Sequence, residues 1–165
     1  FYVEDIIRKE EPFSEWQIRN IHQLILKNID DENAGLYRQQ NVLIFGATTM
    51  PPDYNLLNDK MAHLVDWYNS AAYTFHPIER AAKVHADFVG IHPFIDGNGR
   101  TSRLLMNLEL MKAGYPPCVI TVENRLAYYE ALDQWMAYGI TEPFIQLVTD
   151  AVLEGFKPYQ VVLGI

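Results

Sequence analysis

Apolar residues recur along most of this chain at spacings of three and four, the period of an α-helix with one buried face. Val3, Ile6 and Ile7 set out the first such stripe over residues 1 to about 10, and Pro12 ends it. A second helix follows Ser14, whose hydroxyl can cap it with Gln17 three positions on. Trp16, Ile21, Leu24 and Ile25 are assigned to its buried side, and His22 to its surface. Leu57, Met61, Leu64, Val65 and Tyr68 mark a third helix over about Asp53 to Asn69. Pro77 suits the first turn of a fourth, with His76 in the cap region, and that helix should end near Ile91.

From about Asn98 to Lys112 the pattern changes: Leu104, Leu105, Met106, Leu108, Leu110 and Met111 make the helix apolar nearly all round, so it should be central and surrounded. Gly114, Pro116 and Pro117 stop it. Leu126, Tyr129, Leu132 and Met136 outline a helix beginning at Thr121 or Glu123. Thr141 caps the last helix, with Phe144, Leu147, Val148, Ala151 and Val152 inward and Gly155 as its end. One stretch breaks the helical period. Residues 36 to 52 are rich in β-branched and apolar side chains, contain Gly46 and close on two prolines. They read as a short β-hairpin over about 36–50, or else as a loop stapling two helices. The expected fold is an all-α bundle around one buried helix, with that hairpin as its only β element.

At 165 residues and 49% hydrophobic content, the chain is long enough for one domain with a real core, over about 14–156. A net charge of −8 argues against a nucleic-acid partner, which needs a basic surface. No apolar run reaches membrane-spanning length and no signal-peptide pattern opens the chain, so no membrane partner is expected. Cys118, the one cysteine, has no internal disulfide partner, which fits a reducing compartment; a cytoplasmic location is the expectation. Phe1 opens within a helical pattern, which reads as a fragment of a longer protein.

The chemistry concentrates in HPFIDGNGRTSR, His92 to Arg103. Gly97 and Gly99 flank Asn98 at a helix start, where bare N–H groups form an anion seat that a phosphate can approach without a Cβ in the way. Arg100 and Arg103, three apart, share a helix face and can meet successive phosphates. Asp96 offers a hard oxygen for Mg²⁺, the metal that takes one carboxylate plus substrate phosphates. His92 is the nearby group able to accept a proton near neutral pH. His63 has no second ligand at metal spacing and reads as structural, and His85, seven positions before His92, as a helix-face residue. Phe94 reads as a hydrophobic plug beneath the loop.

That run resembles the Fic family signature, H-P-F-x-D/E-G-N-G-R-x-x-R, with every specified position filled. The resemblance extends from about Trp16 to about Val152 and is closest to the branch with an N-terminal inhibitory helix, which contains the endoplasmic-reticulum Fic enzyme of animals. It implies a protein adenylyltransferase that moves AMP from ATP to a Ser, Thr or Tyr hydroxyl of a protein target, the chain itself included. In that chemistry His92 is the base and Asp96 holds Mg²⁺. Gly97 and Gly99, with the Asn98 side chain, receive charge on the α-phosphate, and Arg100 and Arg103 bind the β- and γ-phosphates. The resemblance also implies that Tyr129 closes the adenine pocket, where the bare residue pattern also allows a core aromatic. It makes the 36–50 hairpin a flap that holds the target by strand addition, with Arg38, Val42 and Phe45 as the residues to test. Met136 stands where the animal branch has an asparagine, a departure in adenine readout.

Family inhibitory helices carry Ser/Thr-x-x-x-Glu-Gly/Asn; the nearest match, Asp150 to Gly155, has Asp in the first slot and reads as a helix end, which leaves the inhibitory segment to be sought before Phe1. The expected partners are ATP and a hydroxyl-bearing protein, and self-association is left open. Rival readings are removal of AMP by the same site, another nucleotide donor, and a non-enzymatic binding module; incubation with labelled ATP separates the last from the enzymes.

Overall fold

The computed structural model describes residues 13–164, among which lie six α-helices and no strand. The helix expected over residues 1 to 10 lies outside the described residues. We number the helices α1 (Glu15–Leu26), α2 (Leu57–Ser70), α3 (Pro77–Ile91), α4 (Asn98–Lys112), α5 (Arg125–Tyr138) and α6 (Glu142–Leu163). Short 3₁₀ turns at Tyr54–Leu56 and Ala72–Thr74 precede α2 and α3.

Two caps fall where side-chain chemistry puts them, whereas Thr141, at the start of α6, makes no side-chain cap bond. Ser14 Oγ accepts from Gln17 N–H at 3.2 Å at the start of α1. His76 Nδ1 accepts from Ile78 N–H at 3.3 Å, with Pro77 in the first turn of α3. No helix among the described residues is long and apolar enough to cross a membrane.

α3 and α4 form the centre. His85 meets Ser102 and Arg80 meets Glu109, so the partner of an earlier α3 residue lies later on α4 and the two run antiparallel. Each has apolar residues on two sides. Val84, Phe88, Leu105 and Leu108 join a core with α1 and α2. Ala82, Ala86, Met106 and Leu110 join a second core with α5 and α6. The all-round apolar pattern of α4 is thus satisfied by partners on opposite faces, and each fully buried Leu or Met there contributes roughly 1.5–3 kcal/mol.

Besides the active-site loop and residues 36–50, the sequence reading departs from the structure in three helices. The buried stripe of α1 runs through Ile18, Ile21 and His22, leaving Trp16 and Leu24 exposed. On α5 the buried residues are Tyr128, Ala131, Leu132 and Trp135, one position round from part of the expected stripe, with Leu126 and Tyr129 exposed. Gly155 does not end α6, because the helix runs on to Leu163 through Pro158.

The β-hairpin is also absent. Residues 39–50 form an extended loop with a turn where Ala47 N–H donates to Ile44 O at 3.2 Å and Gly46 takes φ +84°. Its arms do not pair, since they are pinned elsewhere and Pro51 and Pro52 have no N–H for a ladder. The Arg38 guanidinium joins the base of the loop instead, donating to Gln40 O at 2.8 Å and Pro52 O at 2.6 Å. Thr48 N–H donates to Asp133 of α5 at 2.6 Å, tying down the far arm.

One charged residue lies inside the central helix. Glu109 is 2% exposed; Tyr68 Oη donates to it at 2.6 Å and Arg80 Nε at 3.1 Å, so α2, α3 and α4 meet on one carboxylate. Burial and that negative charge push the Tyr68 phenol well above its ordinary value. Removing Glu109 leaves the buried Arg80 guanidinium without its anionic partner and Tyr68 Oη with only its 3.4 Å contact to Tyr73 Oη. Glu109→Ala is expected to cost about 3–5 kcal/mol in urea unfolding, more than a paired Glu109→Leu, Arg80→Met replacement. A single variant no less stable than the pair contradicts this reading of the network.

Candidate active site

α3 ends and α4 begins on either side of residues 92–97, and this connection carries the chemistry. His92 caps α3 in the left-handed region, φ 52° and ψ 56°, with its N–H donating to Phe88 O at 3.1 Å. That conformation is costly for a residue with a Cβ and persists only where neighbours enforce it. Arg38 is one: its Nε donates to His92 O at 2.9 Å and its backbone N–H to Pro93 O at 2.9 Å. The His92 ring Nδ1 lies 3.2 Å from Val89 O, which can only accept, so Nδ1 carries the proton and Nε2 keeps its lone pair. Burial lowers the imidazole below its ordinary value; the Val89 bond opposes this and the Arg38 charge adds to it. A half-buried neutral imidazole with a free Nε2 is the form a general base requires.

The loop beyond is braced from inside. Phe94 is fully buried. Asn98, 2% exposed, accepts from Phe94 N–H at 2.9 Å and donates to Phe94 O at 2.8 Å. Both ends of that carboxamide are therefore occupied, which corrects the expectation that it faces a phosphate. His22 is fully buried rather than on the surface, because its ring lies flat on Phe94, 3.5 Å between centroids and 3° between planes. Arg38, 3% exposed, sits beneath the 39–50 loop rather than on its outer face, each of its three guanidinium nitrogens donating to a backbone carbonyl.

The amino end of α4 and the side chains of Asp96 and Arg103 face outward. The N–H groups of Asn98, Gly99 and Arg100 have no acceptor among the described residues, as the first turn of a helix requires. The Asp96 side chain is 65% exposed, accepts from Gly97 N–H at 2.6 Å and pairs with Arg100 at 2.8 Å. The Gly97 bond and the Arg100 charge hold its carboxyl below the usual range. Among the described residues no three His, Cys, Asp or Glu side chains form a metal cluster. A lone exposed carboxylate beside an anion seat fits a cation that takes its other ligands from substrate phosphates and water.

Arg103 is exposed, and Gly99 leaves room for it: a Cβ there would lie 3.3 Å from its guanidinium. Beneath it His85 Nε2 lies 3.2 Å from both Ser102 Oγ and Tyr128 Oη, while Ser102 Oγ donates to Gly99 O at 3.0 Å. Burial pushes His85 down to about 3, so it stays neutral. The guanidinium of Arg103 works against the rise that burial gives the Tyr128 phenol. The sequence reading of His85 as a helix-face residue, seven positions before His92, did not disclose this layer, because its full burial comes from contacts with Ser102 and Tyr128 on other helices.

Tyr129 is 53% exposed, edge-on to Tyr128 at 5.3 Å, and is not a core aromatic. Val42 is half-buried and Phe45 fully exposed. A cleft of about 690 Å³ abuts the site, walled by Thr49, Met50, Trp67, Gly90, Ile91 and Met136 among others. Glu154 pairs with Lys157 at 2.6 Å on the exposed side of α6.

The Fic/DOC family pattern matches residues 12–110. The protein adenylyltransferase Fic of Aedes aegypti is 40% identical over 146 residues, 88% of this chain and 29% of that protein. The protein adenylyltransferase fic-1 of Caenorhabditis elegans is 40% identical over 132 residues, 79% of this chain and 25% of that protein. A solved structure of Fic-1 (residues 134–508) from C. elegans superposes with a TM-score of 0.85 at 32% identity, covering 98% of this chain and 49% of that one. The chain thus spans about a quarter to a third of the length of these curated relatives. A matched family pattern over more than half of the residues, and a helical framework shared with a Fic protein, agree with the site built above: this chain belongs to the Fic/DOC family.

Proposed function

We propose that this chain transfers AMP from ATP to a hydroxyl side chain of a protein. The observation that carries the reading is His92, held with Nε2 unpaired at the mouth of an α4 N-terminus flanked by Arg100 and Arg103. The relatives at 40% identity bear the name protein adenylyltransferase, which supports the same reaction.

The acceptor hydroxyl gives its proton to His92 Nε2 as its oxygen bonds to the α-phosphorus. The bond from that phosphorus to the bridging oxygen of the β-phosphate breaks, and pyrophosphate leaves with the electron pair. The open N–H groups of Asn98 and Gly99, and that of Gly97 once it exchanges the Asp96 carboxylate for substrate, receive the charge developing on the α-phosphate oxygens. Arg100 and Arg103 hold the β- and γ-phosphates, Arg100 exchanging its Asp96 partner for substrate. Asp96 would hold Mg²⁺ together with substrate phosphates; when bound, the ion offsets charge on the leaving pyrophosphate. Tyr129, exposed on α5, is the side chain assigned to cover the base in this reading.

The 39–50 loop takes the target. Among the described residues the backbone groups of Val42 and Leu43 have no partner, and exposure alternates along 41–45, so the segment presents one free extended edge. An extended target segment can pair along it and bring its hydroxyl to His92.

Three outcomes test this. His92→Ala should fold, bind nucleotide, and lose roughly 10²–10⁴-fold in transfer measured with labelled ATP; retained transfer removes the histidine from its role. The acid limb of the rate profile should have its midpoint below 6.5, because the base acts when neutral and its site lowers the pH at which it protonates. A midpoint above 6.5 contradicts that. Alanine at both Val42 and Phe45 should raise KM for the protein target several-fold, leaving the affinity for ATP unchanged; unchanged target modification counts against the loop's role.

A further inference from the structure

His22, on α1, reaches the nucleotide loop across 74 positions of sequence. Its Nδ1 accepts from Gly35 N–H at 2.9 Å, which fixes the tautomer and leaves the proton on Nε2. Nε2 lies 2.9 Å from Asp96 O and therefore donates to it. The ring is locked by its stack on Phe94.

The consequence lies in the peptide between Asp96 and Gly97. In a planar trans peptide the C=O and the N–H point in opposite directions. With the Asp96 carbonyl turned inward to His22, the Gly97 N–H has to point out, where it now meets the Asp96 carboxylate at 2.6 Å. Gly97, at φ 79° and ψ −2°, has the angles of the third residue of a type II turn. Rotating the preceding peptide gives the type I arrangement, which glycine tolerates equally. It would put a carbonyl oxygen where the N–H stood, facing the phosphate. Gly97 is also kept as glycine by the same ring, since a Cβ there would lie 3.0 Å from His22 Nε2.

We infer that His22 is a positioning residue for nucleotidyl transfer: by holding the Asp96 carbonyl it selects the peptide orientation that aims the Gly97 N–H at the α-phosphate. This rests on the proposed reaction for its kinetic part only. Asp96 and Gly97 are adjacent to the reacting phosphate, but His22 touches no substrate and acts through the backbone.

Three variants separate its roles. His22→Phe keeps the stack on Phe94 and loses both polar ends, His22→Gln restores the donor to Asp96 O, and His22→Asn restores only the acceptor for Gly35 N–H. Loss of one oriented donor predicts a fall in kcat of roughly a hundredfold in His22→Phe, with KM for ATP within about threefold of the parent. His22→Gln should recover most of that rate and His22→Asn should not. In nucleotide-free protein, the Gly97 amide resonance should coincide in the parent and His22→Gln and be displaced in His22→Phe. A His22→Phe variant with the parent's kcat and Gly97 resonance overturns the inference, as does a His22→Gln variant no better than His22→Asn. If His22→Phe does not unfold cooperatively, the comparison of Gln with Asn decides. If the parent transfers no AMP, the proposed reaction fails by itself, and the Gly97 resonance still decides the role of His22.

Discussion

A polyphosphate can settle on backbone only where N–H groups face it and carbonyl oxygens do not, and in residues 92–97 the carbonyls are drawn inward almost one by one. His92 O takes Arg38 Nε, Pro93 O takes Arg38 N–H, Phe94 O takes the Asn98 carboxamide and Asp96 O takes His22. Gly97 O accepts from Thr101 N–H as the first bond of α4. The anchors come from α1, from the segment between α1 and α2, and from α4 itself, so the seat is a property of the tertiary fold and not of the glycines alone. Glycine permits the turn; Arg38, His22 and Asn98 choose its orientation.

That arrangement needs a rigid base, which the packing supplies. α3 and α4 carry apolar residues into cores on both sides, and Glu109 ties them to α2 through Tyr68 and Arg80. A shift of α4 along its axis would break these contacts together, so the helix end, and the amides it presents, stay in register with His92. The 39–50 loop contrasts with this, held at Arg38, Asn41 and Asp133, with the backbone groups of Val42 and Leu43 unpaired among the described residues. In the proposed reaction the rigid part takes the nucleotide and the less constrained part takes the target.

Much of this was legible in the sequence because it depends on local chemistry. The spacing of Leu and Met marks α4 as central, Ser14 and His76 cap where expected, and the run from His92 to Arg103 falls across the end of α3 and the start of α4, as its glycines suggest. What escaped depends on contacts between distant segments. His22 falls on the stripe of Ile18, Ile21 and Ile25, three and four apart, yet a polar ring on such a stripe discloses its burial only through Phe94 and Asp96. Asn98 between two glycines looks like a ligand group until its carboxamide is seen on Phe94. The β-branched run at 36–50 correctly signals extended backbone, but a ladder needs a partner arm, and Arg38 and Asp133 hold the arms apart. Arg38, a plausible target contact by sequence, is hidden for the same reason.

The most direct measurement of the central claim uses ATP labelled at the α-phosphate in one incubation and at the γ-phosphate in another, followed by mass spectrometry of the protein. The account predicts covalent label from the α-position alone, on a hydroxyl side chain, with pyrophosphate released. Label arriving from the γ-position, or no covalent label from either nucleotide, contradicts it.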